Sequence, residues 1–251
     1  MANLRLQNLK KGFGGLMALN GVNMEVGDQT MTLLIGPNGS GKTTLINVVC
    51  GIYEPDGGRV QFNGVDITGW PPHRIYEEGI VRTFQIPQPF TNLSVRENLL
   101  TAYRAHPGET FLKAPLKSLW KDEEKEAMRR ATALMKQLEL EQIKDSPAHE
   151  CSGGQMKLLE IGRALMSGAT MILIDEPIAG INPVLAHKIM EQMTQLVEKL
   201  GITFLYVEHR LDIALEYAHQ IFAMGNGEII AQGDPEIVTT DPKVIESYLG
   251  A

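Results

Sequence analysis

One segment of the chain carries residues that suit phosphate binding. Residues 36–43 read Gly-Pro-Asn-Gly-Ser-Gly-Lys-Thr and fit the pattern G-x-x-x-x-G-K-S/T, between an apolar strand-like run and a helical one. Glycines let backbone N–H groups converge on a phosphate, and the N-terminus of the following helix adds a favourable dipole. Lys42 would reach the β- and γ-phosphates of a nucleotide, and the Thr43 hydroxyl would ligand Mg²⁺. The predicted nucleotide-binding residues here are Gly36, Pro37, Asn38, Gly39, Ser40, Gly41, Lys42, Thr43 and Thr44.

A second candidate anion site lies much further along the chain. Residues 152–155 read Ser-Gly-Gly-Gln, which places a serine three residues before a glutamine, the spacing of a capping box. Glycine is a poor helix former, so Gly153 and Gly154 make sense where another group must approach the backbone closely. Bare N–H groups at a helix N-terminus bind anions. The alternative interpretation is an ordinary cap with incidental glycines.

Two carboxylates and a histidine follow apolar runs. Residues 171–174 are apolar without alternation, as in a buried parallel strand, and Asp175 and Glu176 follow where open α/β sheets bind ligands. Asp175 is positioned to hold Mg²⁺ through its water shell, and Glu176 to polarise an attacking water. His209 follows a second such run, 202–207. It would lie beside the nucleotide if the two strands are neighbours, and would be structural otherwise.

The periodicity of the remaining sequence predicts the elements that position these groups. Alternating runs in residues 1–35 and 57–66 predict a mostly antiparallel sheet beside the phosphate loop, and residues 94–167 have a helical pattern. The rest alternates between strand and helix: strand 171–174, helix near 184–200, strand 202–207, helix near 211–218, and a hairpin turning at 225–227.

This order predicts an α/β fold with a P-loop core, a mainly parallel sheet with flanking helices. An antiparallel β subdomain and a small inserted α-helical subdomain complete it. We expect one domain over 1–251, with the core in 1–93 and 168–251 and the helical subdomain in 94–167.

Composition narrows the classes of function. The formal net charge of −7 argues against a nucleic-acid surface. Cys50 and Cys151 are far apart in the sequence, which fits a reducing compartment better than a disulfide framework. No apolar run approaches the length of a membrane span, and residues 1–6 have no secretory pattern. Any membrane association is therefore expected to come through another protein.

These segments, in this order, resemble the ATP-binding subunits of ABC transporters over essentially the whole chain. Residues 36–43 match the Walker A motif, 152–155 the signature motif, and 172–176 the Walker B motif with its catalytic glutamate. In the signature motif the resemblance assigns nucleotide contacts to Ser152, Gly153, Gly154 and Gln155.

The resemblance extends to three single positions. His209 matches the switch histidine, and Gln85 matches the Q-loop glutamine that senses Mg²⁺ and the γ-phosphate. Phe13 matches the aromatic residue that stacks on adenine, although an exposed turn aromatic is the alternative. The implied catalytic residues are Glu176, His209 and Gln85, and the implied Mg²⁺ ligands are Thr43, Gln85 and Asp175.

Four further segments look like the branched-chain amino acid importers, and specifically like the longer of their two ATPase subunits. These segments are 13–16, 81–85, 158–161 and 241–250, and residues 108–120 look like the insertion that this longer subunit carries.

Three positions depart from the general pattern of the family. Cys151 stands where leucine is usual, Asn182 where many members have aspartate, and Arg210 where aspartate commonly follows the switch histidine. The residues suggest a packing substitution for Cys151, but the sequence offers no physical account of Arg210.

The resemblance implies ATP hydrolysis with Mg²⁺ and a head-to-tail dimer, in which the signature helix meets the γ-phosphate held by a second ABC ATPase subunit. It also implies paired membrane-spanning permease subunits, indirectly an extracytoplasmic substrate-binding protein, no nucleic acid, and a place on the cytoplasmic face of a prokaryotic membrane. Two alternatives stay open: an importer ATPase for urea, short amides or other amino acids, and a soluble ABC-type ATPase of DNA repair or iron–sulfur assembly.

Overall fold

The computed structural model describes residues 3–83, 88–104 and 120–249, and no helix in these ranges is long and apolar enough to cross a membrane. The strands are β1 (Leu4–Phe13), β2 (Leu16–Val26), β3 (Met31–Ile35), β4 (Gly57–Phe62), β5 (Val65–Asp66), β6 (Ile80–Arg82), β7 (Met171–Asp175), β8 (Thr203–Val207), β9 (Gln220–Gly225) and β10 (Glu228–Gly233). The helices are α1 (Lys42–Val49), α2 (Pro72–Glu78), α3 (Val95–Leu100), α4 (Lys121–Gln137), α5 (Gly153–Met166), α6 (Pro183–Leu200), α7 (Leu211–Tyr217), α8 (Pro235–Thr240) and α9 (Pro242–Leu249).

The antiparallel sheet predicted for the first part of the chain is confirmed. Its strand order is β2-β1-β4-β5, and each neighbouring pair is antiparallel. Along β1 the side chains of Leu4 and Leu6 are buried and that of Arg5 is exposed, as the alternation of a strand with one covered face requires.

The second sheet has the order β10-β9-β3-β8-β7-β6, and its strands from β9 to β6 run parallel. Every residue of β3 and β8 is buried, which explains why their sequences are mostly apolar and do not alternate with charged residues. Val207 of β8 is paired with Leu34 of β3 on one side and with Asp175 of β7 on the other. The carboxyl ends of these three strands therefore meet at one edge of the sheet.

The hairpin predicted at residues 225–227 joins β9 to β10. Its turn residues Asn226 and Gly227 both have positive φ, at 50° and 80°. These values suit a two-residue hairpin turn, for which Asn-Gly is the preferred pair.

The chain divides into two compact units, Met1–Gln85 with Thr170–Ala251, and Ile86–Ala169. In the second unit α3 contacts both α4 and α5. The buried residues of α4 recur at helical spacing and form one apolar face: Ala127, Ala131, Leu134 and Met135. The subdomain limits predicted from the sequence, 94–167, stay a prediction.

Candidate nucleotide site

The phosphate loop connects β3 to α1, and two of its glycines are required by the space around them. Gly36 has φ 149°, and a Cβ atom there would lie 2.3 Å from the carbonyl oxygen of Met224. Gly41 has φ 106° at the N-cap of α1, and its Cβ atom would lie 2.4 Å from the carbonyl oxygen of Ala18. Any side chain at either position would push the loop away from the strands behind it.

Lys42 is buried at the start of α1, and its ammonium group lies within the loop. Its Nζ donates to the carbonyl oxygens of Gly36, at 2.8 Å, and Pro37, at 2.9 Å. Burial lowers the pKa of Lys42, and the nearby carboxylates of Asp175 and Glu176 act in the opposite direction. The structure thus brings Lys42 close to Asp175 and Glu176, all three of which were predicted to act on the nucleotide.

Two distant segments hold the backbone of the phosphate loop. The N–H of Gly227, in the β9–β10 turn, donates to the carbonyl oxygen of Ser40 at 3.0 Å. The hydroxyl of Tyr248, on α9, accepts a hydrogen bond of 2.8 Å from the N–H of Gly36. The remaining loop positions are graded in burial, with Pro37, Gly41 and Thr44 half-buried and Asn38, Gly39 and Thr43 exposed.

Glu176 and His209 lie next to each other at the carboxyl ends of β7 and β8. The Nε2 atom of His209 is 3.3 Å from Oε1 of Glu176. The strands are neighbours, which was the condition set for placing His209 beside the nucleotide. The backbone of Glu176 has φ 53°, and its N–H donates to the carbonyl oxygen of Val207 at 2.9 Å. A glutamate in this left-handed region is uncommon and indicates a functional constraint.

Asp175 ends β7 and forms an ion pair with Arg82, whose Nη2 lies 3.4 Å from Oδ2 of Asp175. Arg82 also donates to the side-chain oxygen of Asn47, on α1. A carboxylate and the Thr43 hydroxyl are hard oxygen donors of the kind that Mg²⁺ prefers, with phosphate oxygens and waters supplying the other ligands. Asp175 and Thr43 therefore fit a magnesium ion that is bound mainly through a nucleotide.

Glu208 and Arg210, on either side of His209, were not predicted as site residues. The carboxylate of Glu208 is buried and accepts a hydrogen bond from the N–H of Ile178 at 2.7 Å. Burial raises the pKa of Glu208, against hydrogen bonds from three backbone N–H groups that lower it. Arg210 donates from Nη1 to the carbonyl oxygen of Ile181 at 3.0 Å. One signal for Glu208 was present in the sequence, namely that a carboxylate directly follows the apolar run of β8.

Phe13 lies at the end of β1 with 43 % of its surface exposed. Its ring meets the ring of Tyr53 edge-on, with centroids 5.1 Å apart and an interplanar angle of 74°. The Lys11 ammonium lies 5.6 Å from the centroid of Phe13. Two neighbours thus restrict the ring while much of it stays accessible, which suits a stacking platform.

The signature segment belongs to the second unit and forms the capping box expected from its sequence. The N–H of Ser152 donates to Oε1 of Gln155 at 2.8 Å, and the Ser152 hydroxyl accepts from the N–H of Gln155 at 3.4 Å. Ser152 and Gly153 are exposed, Gly154 is buried, and Gln155 is half-buried. A Cβ atom on Gly153 would meet no described atom within 4 Å. The start of α5 is therefore open to an approaching group.

Two predictions fall outside the described residues. Gln85, expected to sense Mg²⁺ and the γ-phosphate, is one of them. The other is the insertion expected at 108–120, of which Trp120 alone is described.

Comparison with known proteins agrees with this geometry. A family model of ABC transporters matches residues 19–179, and a model of branched-chain amino acid ATP-binding cassette transporters matches residues 228–251. The chain belongs to the ABC transporter family. It is 51 % identical to the probable branched-chain amino acid transport ATP-binding protein LivG of Archaeoglobus fulgidus, over 100 % of this chain and 96 % of that protein. The LivG protein of Methanocaldococcus jannaschii, also named as probable, is 49 % identical over 100 % and 98 %.

The fold of this ABC ATPase matches a solved structure of the family. The crystal structure of an ATP-binding cassette of an ABC transporter in its ADP conformation superimposes with a TM-score of 0.86, at 48 % identity and 100 % coverage of both chains. The predicted fold class and the resemblance to ABC transporters are both confirmed. This ABC ATPase binds and hydrolyses ATP.

Proposed function

We propose that this ABC ATPase powers a prokaryotic importer of branched-chain amino acids. The observation that carries the proposal is the match of residues 228–251 to the branched-chain amino acid cassette transporters, in a chain that is about half identical to proteins named for that transport. The same residues contain α9, whose Tyr248 hydroxyl is bonded to the phosphate loop. The segment typical of this type of transporter thus contacts the predicted nucleotide site.

In the proposed chemistry, the loop N–H groups and Lys42 bind the β- and γ-phosphates of ATP, and Phe13 stacks on the adenine. The Thr43 hydroxyl, Asp175 and Gln85 would hold Mg²⁺, which would supply positive charge to neutralise the phosphate oxygens. Glu176 then accepts a proton from the attacking water. His209, 3.3 Å from Glu176, orients this carboxylate and contacts the γ-phosphate.

The exposed start of α5 supports a dimer. Ser152 and Gly153 are exposed at the N-terminus of α5, and the positive end of a helix dipole attracts anions. We infer that these residues bind the γ-phosphate of the ATP held by a second ABC ATPase subunit, so that two ATP molecules lie between the subunits. Loss of the γ-phosphate on hydrolysis would remove these contacts and open the dimer.

The remaining partners follow from transport itself. The importer would need paired permease subunits in the membrane, and an extracytoplasmic binding protein would deliver the amino acid to them. The ATPase would lie on the cytoplasmic face of the membrane, attached through the permease subunits.

Uptake in cells tests the substrate. Deleting the gene should abolish high-affinity uptake of labelled leucine, isoleucine and valine, and the wild-type gene should restore it. Glu176→Gln, matched in size but lacking the base, should not restore it. Loss of urea or short-amide uptake with normal leucine uptake would contradict the substrate, and normal uptake of all of these would favour a soluble ATPase.

A further inference from the structure

His209 is flanked by two charged side chains that reach towards the same neighbouring segment. This segment, residues 177–182, directly follows Glu176 and leads into α6. Glu208 contacts its beginning and Arg210 contacts its end. Glu208 and Arg210 therefore both hold residues 177–182, the segment that directly follows Glu176.

The hydrogen bonds of Glu208 join two loops through one carboxylate. Its Oε1 accepts from the N–H of Ile178 at 2.7 Å, while its Oε2 accepts from the N–H groups of His209, at 3.0 Å, and Arg210, at 3.3 Å. Only 2 % of the Glu208 surface is exposed. Burying a carboxylate is costly unless its oxygens are hydrogen-bonded, so a side chain of this kind at the end of β8 requires these bonds.

Arg210 makes a second connection to the segment, at Ile181 near its end. Its Nη1 donates to the carbonyl oxygen of Ile181 at 3.0 Å, and its Nη2 lies 3.3 Å from the carboxylate of Asp212. The side chain of an aspartate at position 210 would have no N–H to donate to this carbonyl. The departure from the common aspartate thus has a physical account, which the sequence did not provide.

The end of the segment is also fixed by a hydrogen bond that does not involve residues 208–210. The side chain of Asn182 accepts a hydrogen bond of 3.0 Å from the N–H of Leu185 and so caps α6. Residues 177–182 are therefore held at their start by Glu208, near their end by Arg210, and at the helix by their own cap.

We propose that Glu208 and Arg210 are positioning residues that clamp residues 177–182 to the loop carrying His209, and so fix the placement of His209 against Glu176. The proposal rests on the proposed function, because it assumes that this pair acts in hydrolysis. None of the described hydrogen bonds of these two side chains reaches the phosphate loop, so we expect them to govern the rate of hydrolysis and not the affinity for ATP.

The test is a set of single variants of the full chain. Arg210→Ala and Glu208→Gln should each lower kcat about tenfold and change the KM for ATP less than about twofold. Arg210→Lys keeps one donor within reach of Ile181 and should recover much of the lost rate. A rise in KM with unchanged kcat, or no recovery with lysine, would overturn the clamp.

Two matched controls separate positioning from general destabilisation. Asp212→Asn removes the charged partner of Arg210 described above and leaves the bond to the carbonyl oxygen of Ile181 in place. Tyr206 lies on β8, two residues before Glu208, and Tyr206→Phe removes a buried hydrogen bond of 2.9 Å from its hydroxyl to the carbonyl oxygen of Ala214 on α7. Both should keep kcat within about twofold, and Tyr206→Phe should lower the melting temperature. A tenfold loss of kcat in Tyr206→Phe would mean that loss of stability alone explains the clamp variants.

A double-mutant cycle with His209→Ala gives the decisive measurement. If Arg210 acts by placing the histidine, Arg210→Ala should change kcat less than about twofold once the histidine is absent. A full tenfold effect in that background would refute the clamp. Wild-type turnover in His209→Ala and Glu176→Gln would instead refute the roles assigned under the proposed function, so the two failures are distinguishable.

Discussion

The hydrogen bond between Tyr248 and the phosphate loop can be removed by deleting one heavy atom, the hydroxyl oxygen. Tyr248→Phe deletes the hydroxyl that accepts a 2.8 Å hydrogen bond from the N–H of Gly36. Burial raises the pKa of Tyr248, so the group lost is an uncharged phenol at neutral pH. The substitution changes neither the volume of the ring nor the net charge.

The size of the effect follows from the surroundings of Gly36. A buried N–H left without a partner costs about 1–3 kcal/mol. Gly36 is buried, and its closeness to the carbonyl oxygen of Met224 restricts the loop from moving to find another acceptor. Tyr248 itself is 39 % exposed, so water can reach part of this region and the lower half of the range applies. A loss of about 1–2 kcal/mol corresponds to a fall of about 2–8 °C in melting temperature for a domain of this size.

The assay is thermal unfolding with and without ATP, together with a titration of ATP binding. Because the bond orients the first residue of the loop, the affinity for ATP should fall about three- to tenfold. Tyr217→Phe is the matched control, since its hydroxyl lies 2.9 Å from Nδ1 of His187 and both groups are partly exposed. It should shift neither quantity appreciably. An unchanged melting temperature and affinity in Tyr248→Phe would refute the reasoning.

Three further predictions concern the nucleotide chemistry. Lys42→Ala removes the charge proposed to face the β- and γ-phosphates, so ATP binding measured by calorimetry should collapse; unchanged binding would contradict the assignment. Glu176→Gln should bind ATP, turn over at least about a hundredfold more slowly, and accumulate as an ATP-bound dimer on gel filtration; hydrolysis at the wild-type rate would move the base to another residue. Gly153→Asp should bind ATP as a monomer but fail in dimer closure and hydrolysis, because its carboxylate would oppose the γ-phosphate. A mixture of Gly153→Asp and Lys42→Ala chains should regain partial ATPase activity, because one of its two sites combines an intact phosphate loop with an intact signature segment. Normal activity of Gly153→Asp alone would exclude the signature role.

The parts of the fold that could be predicted depend on local chemistry. The unbroken apolar runs of β7 and β8 predicted buried parallel strands, and the Ser152–Gln155 spacing predicted a cap that the structure contains. The Asn-Gly pair predicted the hairpin after β9 because few residues adopt its backbone angles. The proximity of His209 to Glu176 needed one extra assumption, namely that their strands are neighbours, and the sheet order satisfies it.

The parts that could not be predicted depend on contacts between distant segments. Tyr248 is 212 positions away from Gly36, and nothing near either residue indicates their bond. Arg210 was unexplained because its partner is a backbone carbonyl, which every residue possesses and no sequence pattern identifies. The ion pair between Arg82 and Asp175 was missed for a related reason, since it requires knowing that β6 lies beside β7.

The positive φ of Glu176 places this protein under two opposed selective pressures. A left-handed backbone costs a residue with a long side chain about 1 kcal/mol or more, whereas asparagine tolerates it better. A chain with asparagine at position 176 would therefore gain thermal stability while losing its carboxylate. Random mutation screened only for folding or expression would enrich such changes, and with Glu176 as the proposed base a variant stabilised in this way would not hydrolyse ATP.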